Sequence, residues 1–209
     1  MITALVLAAG LSSRMGTSKP LLPWGARTLL EHILASVQAS PVEAVLVVTG
    51  HQHAAIAQRL AGGPARVVFT PDSASGEMLA SLQAGLRAAP PQSEAALLVL
   101  GDQPALDPAV IQQLVAAYRA GAGRVIIPSY QMRRGHPLLI DRRCWAAILA
   151  LRAGQSLRDF MHGAREVIHH VSVAQPGILQ DLDTPEEYRR ALADFQRAQG
   201  LAVPLFQEV

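Results

Sequence analysis

Short, nearly uninterrupted apolar runs recur at residues 4–8, 44–48, 67–69, 95–100 and 125–127, each bounded by Gly, Pro or Asp. Runs of this length without alternation predict strands covered on both faces. Between them the spacing becomes helical, as in Leu29, Leu30, Ile33, Leu34 and Val37, then Leu79, Leu82 and Leu86, then Val110, Ile111, Leu114 and Val115. Two further strands are read at 138–140 and 167–173. The βαβα alternation predicts an α/β fold with one mostly parallel, Rossmann-like sheet flanked by helices.

Two helix starts are written into the sequence. Asp107-Pro108 offers an N-cap with proline at the first helical position, and Thr184-Pro185-Glu186-Glu187 is a capping box, so the last helix should run from 185 to about 199. Pro90-Pro91-Gln92-Ser93 and Gly121-Ala122-Gly123 read as loops, and no internal repeat or linker-like segment is present. With 209 residues, half of them apolar, the chain reads as a single domain over 1–199 followed by a tail at 200–209.

Charge and cysteine content narrow the partners. The formal net charge is +2, and Lys19 is the one lysine among eighteen basic residues. The arginines are scattered from Arg14 to Arg197 without a basic run or interleaved aromatics, which argues against nucleic acid and fits a phosphate-bearing small molecule. Cys144 is the only cysteine, which excludes an internal disulfide and a cysteine-built zinc site and suits a reducing, cytoplasmic setting. The apolar start lacks a charged leader region and is too short to span a bilayer, so it reads as a buried strand and no membrane partner is expected.

The candidate chemistry begins directly after that strand. Leu7-Ala8-Ala9-Gly10-Leu11-Ser12-Ser13-Arg14-Met15-Gly16-Thr17-Ser18-Lys19 puts small residues where a backbone must approach closely, then Arg14 and Lys19 where charge is needed. Polyphosphate is the natural ligand of such a loop, whose N–H groups would face phosphate oxygens at the carboxyl end of the first strand. It is neither a Gly-Lys-Ser/Thr phosphate loop nor a Gly-x-Gly-x-x-Gly dinucleotide turn. A solvated glycine-rich turn is the alternative.

Asp102 follows the strand at 95–100 and should stand at the sheet's carboxyl edge, a placement suited to Mg²⁺, although an Asp there can also form a turn. Asp181 and Asp183 are two residues apart, so in an extended segment they project to the same side, and one of them should complete a metal site. Asp183 could instead cap the last helix. His169 and His170 would point to opposite faces of a strand and cannot chelate one metal, while Trp24, Trp145 and the methionines read as packing.

Leu-Ala-Ala-Gly-x-Ser-x-Arg-Met-Gly-x-x-Lys at 7–19 resembles the signature of the MobA-like nucleotidyltransferases, and within them the molybdenum cofactor cytidylyltransferases of MocA type. Family-like motifs follow in order at Gly101-Asp102-Gln103-Pro104, Arg134-Gly135-His136-Pro137 and Asp181-Leu182-Asp183-Thr184-Pro185. The resemblance implies a nucleotide-diphospho-sugar transferase-like fold and a Mg²⁺ held by Asp102 and Asp183, with Asp181 orienting the latter. It implies a triphosphate bound by Ala8, Ala9, Gly10, Arg14, Lys19, Asp72, Gly76, Ser81 and Asp102, with Arg14, Lys19 and Asp102 catalytic. Arg133, Arg134, His136 and Arg158 would face the acceptor.

The Ala-Ala-Gly start favours CTP over GTP, and the implied reaction joins CMP to a molybdopterin-type cofactor for a recipient molybdoenzyme. Two positions depart from the pattern. Glu77 stands in Gly76-Glu77-Met78-Leu79-Ala80-Ser81-Leu82 where cytidylyltransferases of this type read Gly-Met-Gly-Ser-Ser-Leu, and Gly154-Gln155-Ser156-Leu157-Arg158 replaces Gly-Asp-x-Gly-Ala-Arg. Two alternatives stay open: another triphosphate with a sugar or polyol phosphate acceptor, and a non-catalytic accessory protein that carries finished cofactor to a molybdenum hydroxylase.

Overall fold

In the computed structural model, residues 1–10, 15, 18–71 and 78–200 are described. Strand β1 (Ile2–Ala8) lies in the middle of the sheet, parallel to the later strands β4 (Ala44–Thr49) on one side and β6 (Ala95–Leu100) on the other. β5 (Arg66–Phe69) continues the sheet beyond β4, and β7 (Val125–Tyr130), β9 (Leu138–Asp141) and β10 (Ile168–Ser172) continue it beyond β6, giving the order β10-β7-β9-β6-β1-β4-β5. The chain therefore winds in both directions from β1, while β2 (Pro23–Trp24) and β3 (Arg27–Thr28) pair antiparallel apart from this sheet and α2 (His53–Arg59) lies between β4 and β5 in sequence. The carboxyl ends of β1 and β6 border the switch point where ligands of open α/β sheets bind.

Side-chain alternation along the strands divides the core in two. Ala4, Val6 and Ala8 belong to one cluster with Leu30 and Ile33 of α1 (Leu29–Gln38), Ile111 and Leu114 of α4 (Pro108–Arg119) and Leu192 of α7 (Pro185–Ala198). Leu5 belongs to the other, with Leu82 of α3 (Met78–Ala88), Ile148 of α5 (Trp145–Leu149) and Leu157 of α6 (Leu157–Gly163). Opposite Cβ directions at successive strand positions produce this division.

The two helix starts form as their sequence predicts. Asp107 Oδ1 accepts from Ala109 N at 2.8 Å with Pro108 at the first position, and Thr184 Oγ1 accepts from Glu187 N at 3.2 Å in a complete capping box. Two other capping boxes, Thr28 with Glu31 and Ser156 with Asp159, add to them.

Three strand or packing expectations change. β5 was expected to be covered on both faces but is a sheet edge, leaving Phe69 52% exposed. β9 runs antiparallel to both β6 and β7 in an otherwise parallel main series. Met132 was read as packing, yet it is 94% exposed at the tip of the hairpin from β7 to β8 (Arg133–Arg134), where Gln131 and Met132 take φ 48 and 65. Positive φ at both central positions is the type I′ hairpin turn, whose twist matches that of the flanking strands. Trp24 and Trp145 are buried as expected. Among the described residues no helix is long and apolar enough to cross a membrane.

At the sheet's opposite end Tyr118 of α4 donates to Asp141 Oδ2 at 2.9 Å, and Arg143 pairs with the same carboxylate. Burial pushes the Tyr118 phenol up to about 12, and the Asp141 carboxylate adds to the shift. A pKa raised on folding means that this contribution to stability is full below pH 10.0 and lost as pH rises through about 12. The urea midpoint should therefore fall less between those pH values in Tyr118→Phe than in the parent protein, as read by tryptophan fluorescence.

Candidate active site

At the carboxyl end of β1 two backbone segments approach closely. Gly101 N donates to Leu7 O at 2.9 Å, and a Cβ at Gly101 would stand 2.6 Å from that same oxygen. Only glycine lets β6 leave the sheet this close to β1, which sets Asp102 beside the first residues of the motif loop. Ala8 and Ala9 are buried there and Gly10 is exposed; a Cβ at Gly10 would meet no described atom within 4 Å. This strand end borders the motif segment that leads to Lys19.

Lys19 enters this space from a short 3-10 turn, Lys19–Leu21, whose Pro20 is buried. Its Nζ lies 3.2 Å from Asp102 Oδ2 and 2.9 Å from Asp183 Oδ1. Residues separated by 83 and 164 positions in sequence thus meet at one atom. Asp183 is brought there by the segment before α7, where Leu182 N donates to Asp102 O at 3.1 Å. The cap of α7 is Thr184 rather than Asp183, which frees the Asp183 carboxylate for the ion pair.

Two carboxylates, those of Asp102 and Asp183, contact the Lys19 ammonium. Burial works against the charged form of Lys19, but hydrogen bonds and charge from Asp183 and Asp102 outweigh it and hold the ammonium above the ordinary lysine range. Burial pushes the Asp102 carboxyl up, and Asp181 and Asp183 push it further, against the pull of Lys19. The Lys19 shift comes from the two carboxylates, and the Asp102 shift comes mainly from burial. Such a place attracts cations.

The acceptor-side residues are organised by close backbone packing. A Cβ on Gly135 would stand 2.2 Å from Ile178 O, and one on Gly177 2.6 Å from Ala105 O. His136 N donates to Ile178 O at 3.0 Å, tying the loop after β8 to the segment that carries Asp181 and Asp183. Burial lowers the His136 pKa, with Asp181 opposing, so the ring is neutral near pH 7. Asp181 does not reach back to Asp183 through a bond; it accepts from Gln103 Nε2 at 2.6 Å. His32 Nε2 donates to Pro104 O at 3.0 Å and steadies the same turn.

The expected site residues therefore divide. Lys19, Asp102 and Asp183 meet, and Ala8, Ala9 and Gly10 border them. His136 lies near, facing Asp181. Arg133 and Arg134 are exposed on the hairpin, Arg158 is exposed on the first turn of α6, and Ser81 is only 5% exposed on α3. Arg14, Asp72 and Gly76 lie outside the described residues, as does Glu77. Gln103, Gly135 and Gly177 were not among the expected site residues; Gln103 and Gly135 sit inside motifs that were read for their neighbours, and nothing local marks Gly177.

Among the described residues no group of three or more His, Cys, Asp or Glu could hold a metal ion by itself. Two convergent carboxylates fit a cation that completes its shell with water and phosphate oxygens, the habit of Mg²⁺. The ammonium already between them is a stand-in for that charge.

The chain is 30% identical over 200 residues to nicotine blue oxidoreductase of Paenarthrobacter nicotinovorans, covering 91% of this chain and 96% of that one. It is 28% identical over 188 residues to molybdenum cofactor cytidylyltransferase of Escherichia coli strain K12, covering 90% and 93%. The manganese complex of Rv0371C from Mycobacterium tuberculosis H37Rv has the same fold, with a TM-score of 0.75 at 27% identity over 91% of this chain and 97% of that one. The sequence pattern of the MobA-like NTP transferase domain matches residues 4–171. That match runs from the first strand into the last and takes in both Lys19 and Asp102, so the chain belongs to the MobA-like NTP transferase family and is a nucleotidyltransferase.

Proposed function

We propose that the protein is a Mg²⁺-dependent cytidylyltransferase that joins CMP from CTP to the phosphate of a molybdopterin-type cofactor and releases pyrophosphate. The observation that carries this reading is the meeting of Lys19, Asp102 and Asp183 at the end of β1, beside the loop that bears the triphosphate motif. The full-length likeness to a molybdenum cofactor cytidylyltransferase supports the base and the acceptor. The manganese complex of Rv0371C supports a divalent cation.

In this reading Asp102 and Asp183 hold the cation, which when bound neutralises the triphosphate and stabilises charge developing at the α-phosphate. The N–H groups at Ala8, Ala9 and Gly10 with Arg14 and Lys19 hold the phosphate chain and take up charge on departing pyrophosphate. Arg133, Arg134, His136 and Arg158, with Asp72, Gly76 and Ser81 on the nucleoside side, fix the two substrates in line. One oxygen of the acceptor phosphate forms a bond to the α-phosphorus as the bond to the β-phosphate oxygen breaks. The acceptor oxygen is already anionic, so the residues must supply position and charge and no proton has to be removed. A recipient molybdoenzyme would take the product.

The test is Mg²⁺-dependent pyrophosphate release from CTP, GTP, ATP and UTP, each offered with cofactor released from a molybdoenzyme. Release is expected with CTP and cofactor together and should cease when the metal is chelated. Release with another triphosphate, or only with a sugar or polyol phosphate, would replace the base or the acceptor. Tight binding of finished cofactor with no pyrophosphate from any triphosphate would make the protein an accessory carrier. The name of the relative from Paenarthrobacter nicotinovorans makes nicotine blue a useful further substrate. Its conversion by a protein that releases no pyrophosphate would refute the cytidylyltransferase reading.

A further inference from the structure

We propose that Lys19 and the divalent cation compete for the same two carboxylates, so that the metal binds tightly only when a triphosphate draws the ammonium away. The inference rests on the metal-site reading above and adds an order to it. Lys19 Nζ contacts Asp102 Oδ2 and Asp183 Oδ1 directly, at 3.2 and 2.9 Å. A Mg²⁺ bound to those oxygens would lie about 2.0–2.1 Å from each. An ammonium in its present place would then face the ion across the same oxygen atoms, with like charges a few ångströms apart at a part-buried site.

The way Lys19 is mounted suits an exchange. Pro20 is buried, Leu22 N donates to Lys19 O at 3.1 Å and Leu21 N donates to Ser18 O at 3.1 Å, so the backbone is fixed. The four-carbon stem alone can carry Nζ from the carboxylates to a phosphate oxygen, a point charge on a flexible arm. Neither partner loses charge compensation in the exchange. The carboxylates trade an ammonium for a divalent ion, and the ammonium trades carboxylates for phosphate. Metal alone must displace the ammonium from its two contacts, whereas a triphosphate that has already drawn Nζ away removes that cost. Metal and triphosphate should therefore bind with positive coupling through this one side chain.

The competing possibility is that metal and ammonium share the site, since each carboxylate has two oxygens. Mn²⁺ binding to the full chain without nucleotide, read by the electron paramagnetic resonance of the free ion, separates the two. Lys19→Met should bind Mn²⁺ about tenfold more tightly than the parent protein. The gain should persist in about 0.5 M salt, where a general effect of the changed net charge is screened away. Adding Asp102→Asn to Lys19→Met should abolish the gain.

A second readout needs no substitution. Because Lys19 is the chain's sole lysine, protein grown with ¹³C-lysine gives a single side-chain ε-methylene resonance. That resonance should move in parallel with Mg²⁺ saturation. Unchanged Mn²⁺ affinity in a folded Lys19→Met protein, a gain that vanishes in salt, no metal binding by either protein, or a lysine resonance that stays put while Mg²⁺ binds would each overturn the proposal. None of these measurements uses CTP or the cofactor. A wrong base or acceptor assignment therefore fails in the pyrophosphate assay and leaves this result standing.

Discussion

Asp102→Asn is expected to lower pyrophosphate release on the order of 10²–10³-fold while leaving the protein folded. The substitution keeps the shape of the side chain and removes the charge that faces Lys19 at 3.2 Å. Its effect on stability is the sum of two opposed changes. Burial and the neighbouring carboxylates raise the Asp102 pKa above the unfolded value of 3.8, so that this contribution is present below pH 3.8 and lost as pH rises through the folded pKa, and a neutral asparagine escapes it. The same substitution takes from the Lys19 ammonium one of the two carboxylates that stabilise its charge. The melting temperature of the variant at pH 7 should therefore stay close to the parent's. Retention of more than about a tenth of the parent rate would remove Asp102 from the proposed metal site.

Gly135→Ala should damage both stability and turnover, although Gly135 touches neither of the carboxylates on Lys19. Its new Cβ would lie 2.2 Å from Ile178 O and 2.8 Å from Ile178 Cβ, and the nearer obstacle is backbone that cannot swing aside. Relief requires the loop after β8 or the segment around Ile178 to shift. The second of these carries Asp181, whose Oδ1 holds Gln103, then Leu182, whose N–H is bonded to Asp102 O, and then Asp183. Overpacking of this kind costs about 1–3 kcal/mol. Measured by urea unfolding and by turnover per folded molecule, the variant should lose activity beyond what its unfolded fraction explains. Gly163→Ala on α6 is the control, because a Cβ there meets no described neighbour within 4 Å. A Gly135→Ala protein with the parent's midpoint and full turnover would show that this packing does not place Asp183.

The parts of the protein legible in its sequence are those encoded over a few residues. The short apolar runs announce strands, the helical spacing announces the helices between them, and Asp107-Pro108 and Thr184-Pro185 mark two helix starts where the structure has them. Lys19 and Asp102 stood out because the residues that make them conspicuous are their own neighbours: a strand and a small-residue loop before Lys19, a strand and a proline turn around Asp102. Periodicity and capping are local physics and survive without knowledge of the fold.

Tertiary structure alone decided the rest. The run at Leu138–Asp141 reads the same in either direction, and only its seat between β6 and β7 makes it antiparallel. The run at Arg66–Phe69 looks like an interior strand, but among the described residues it is the last of the sheet order, with Val67 and Val68 part-buried and Phe69 exposed. Gly135 and Gly177 are required by carbonyl oxygens of Ile178 and Ala105, distant partners that no local pattern contains. Asp181 could be placed on the same side as Asp183, but its bond to Gln103 depends on a turn 78 residues away. Above all, sequence supplied an ammonium and two carboxylates, while the fold put them on one another. Charge type is written residue by residue; which charges share a few ångströms of low-dielectric space is settled only when strands β1 and β6 and the segment before α7 are packed together.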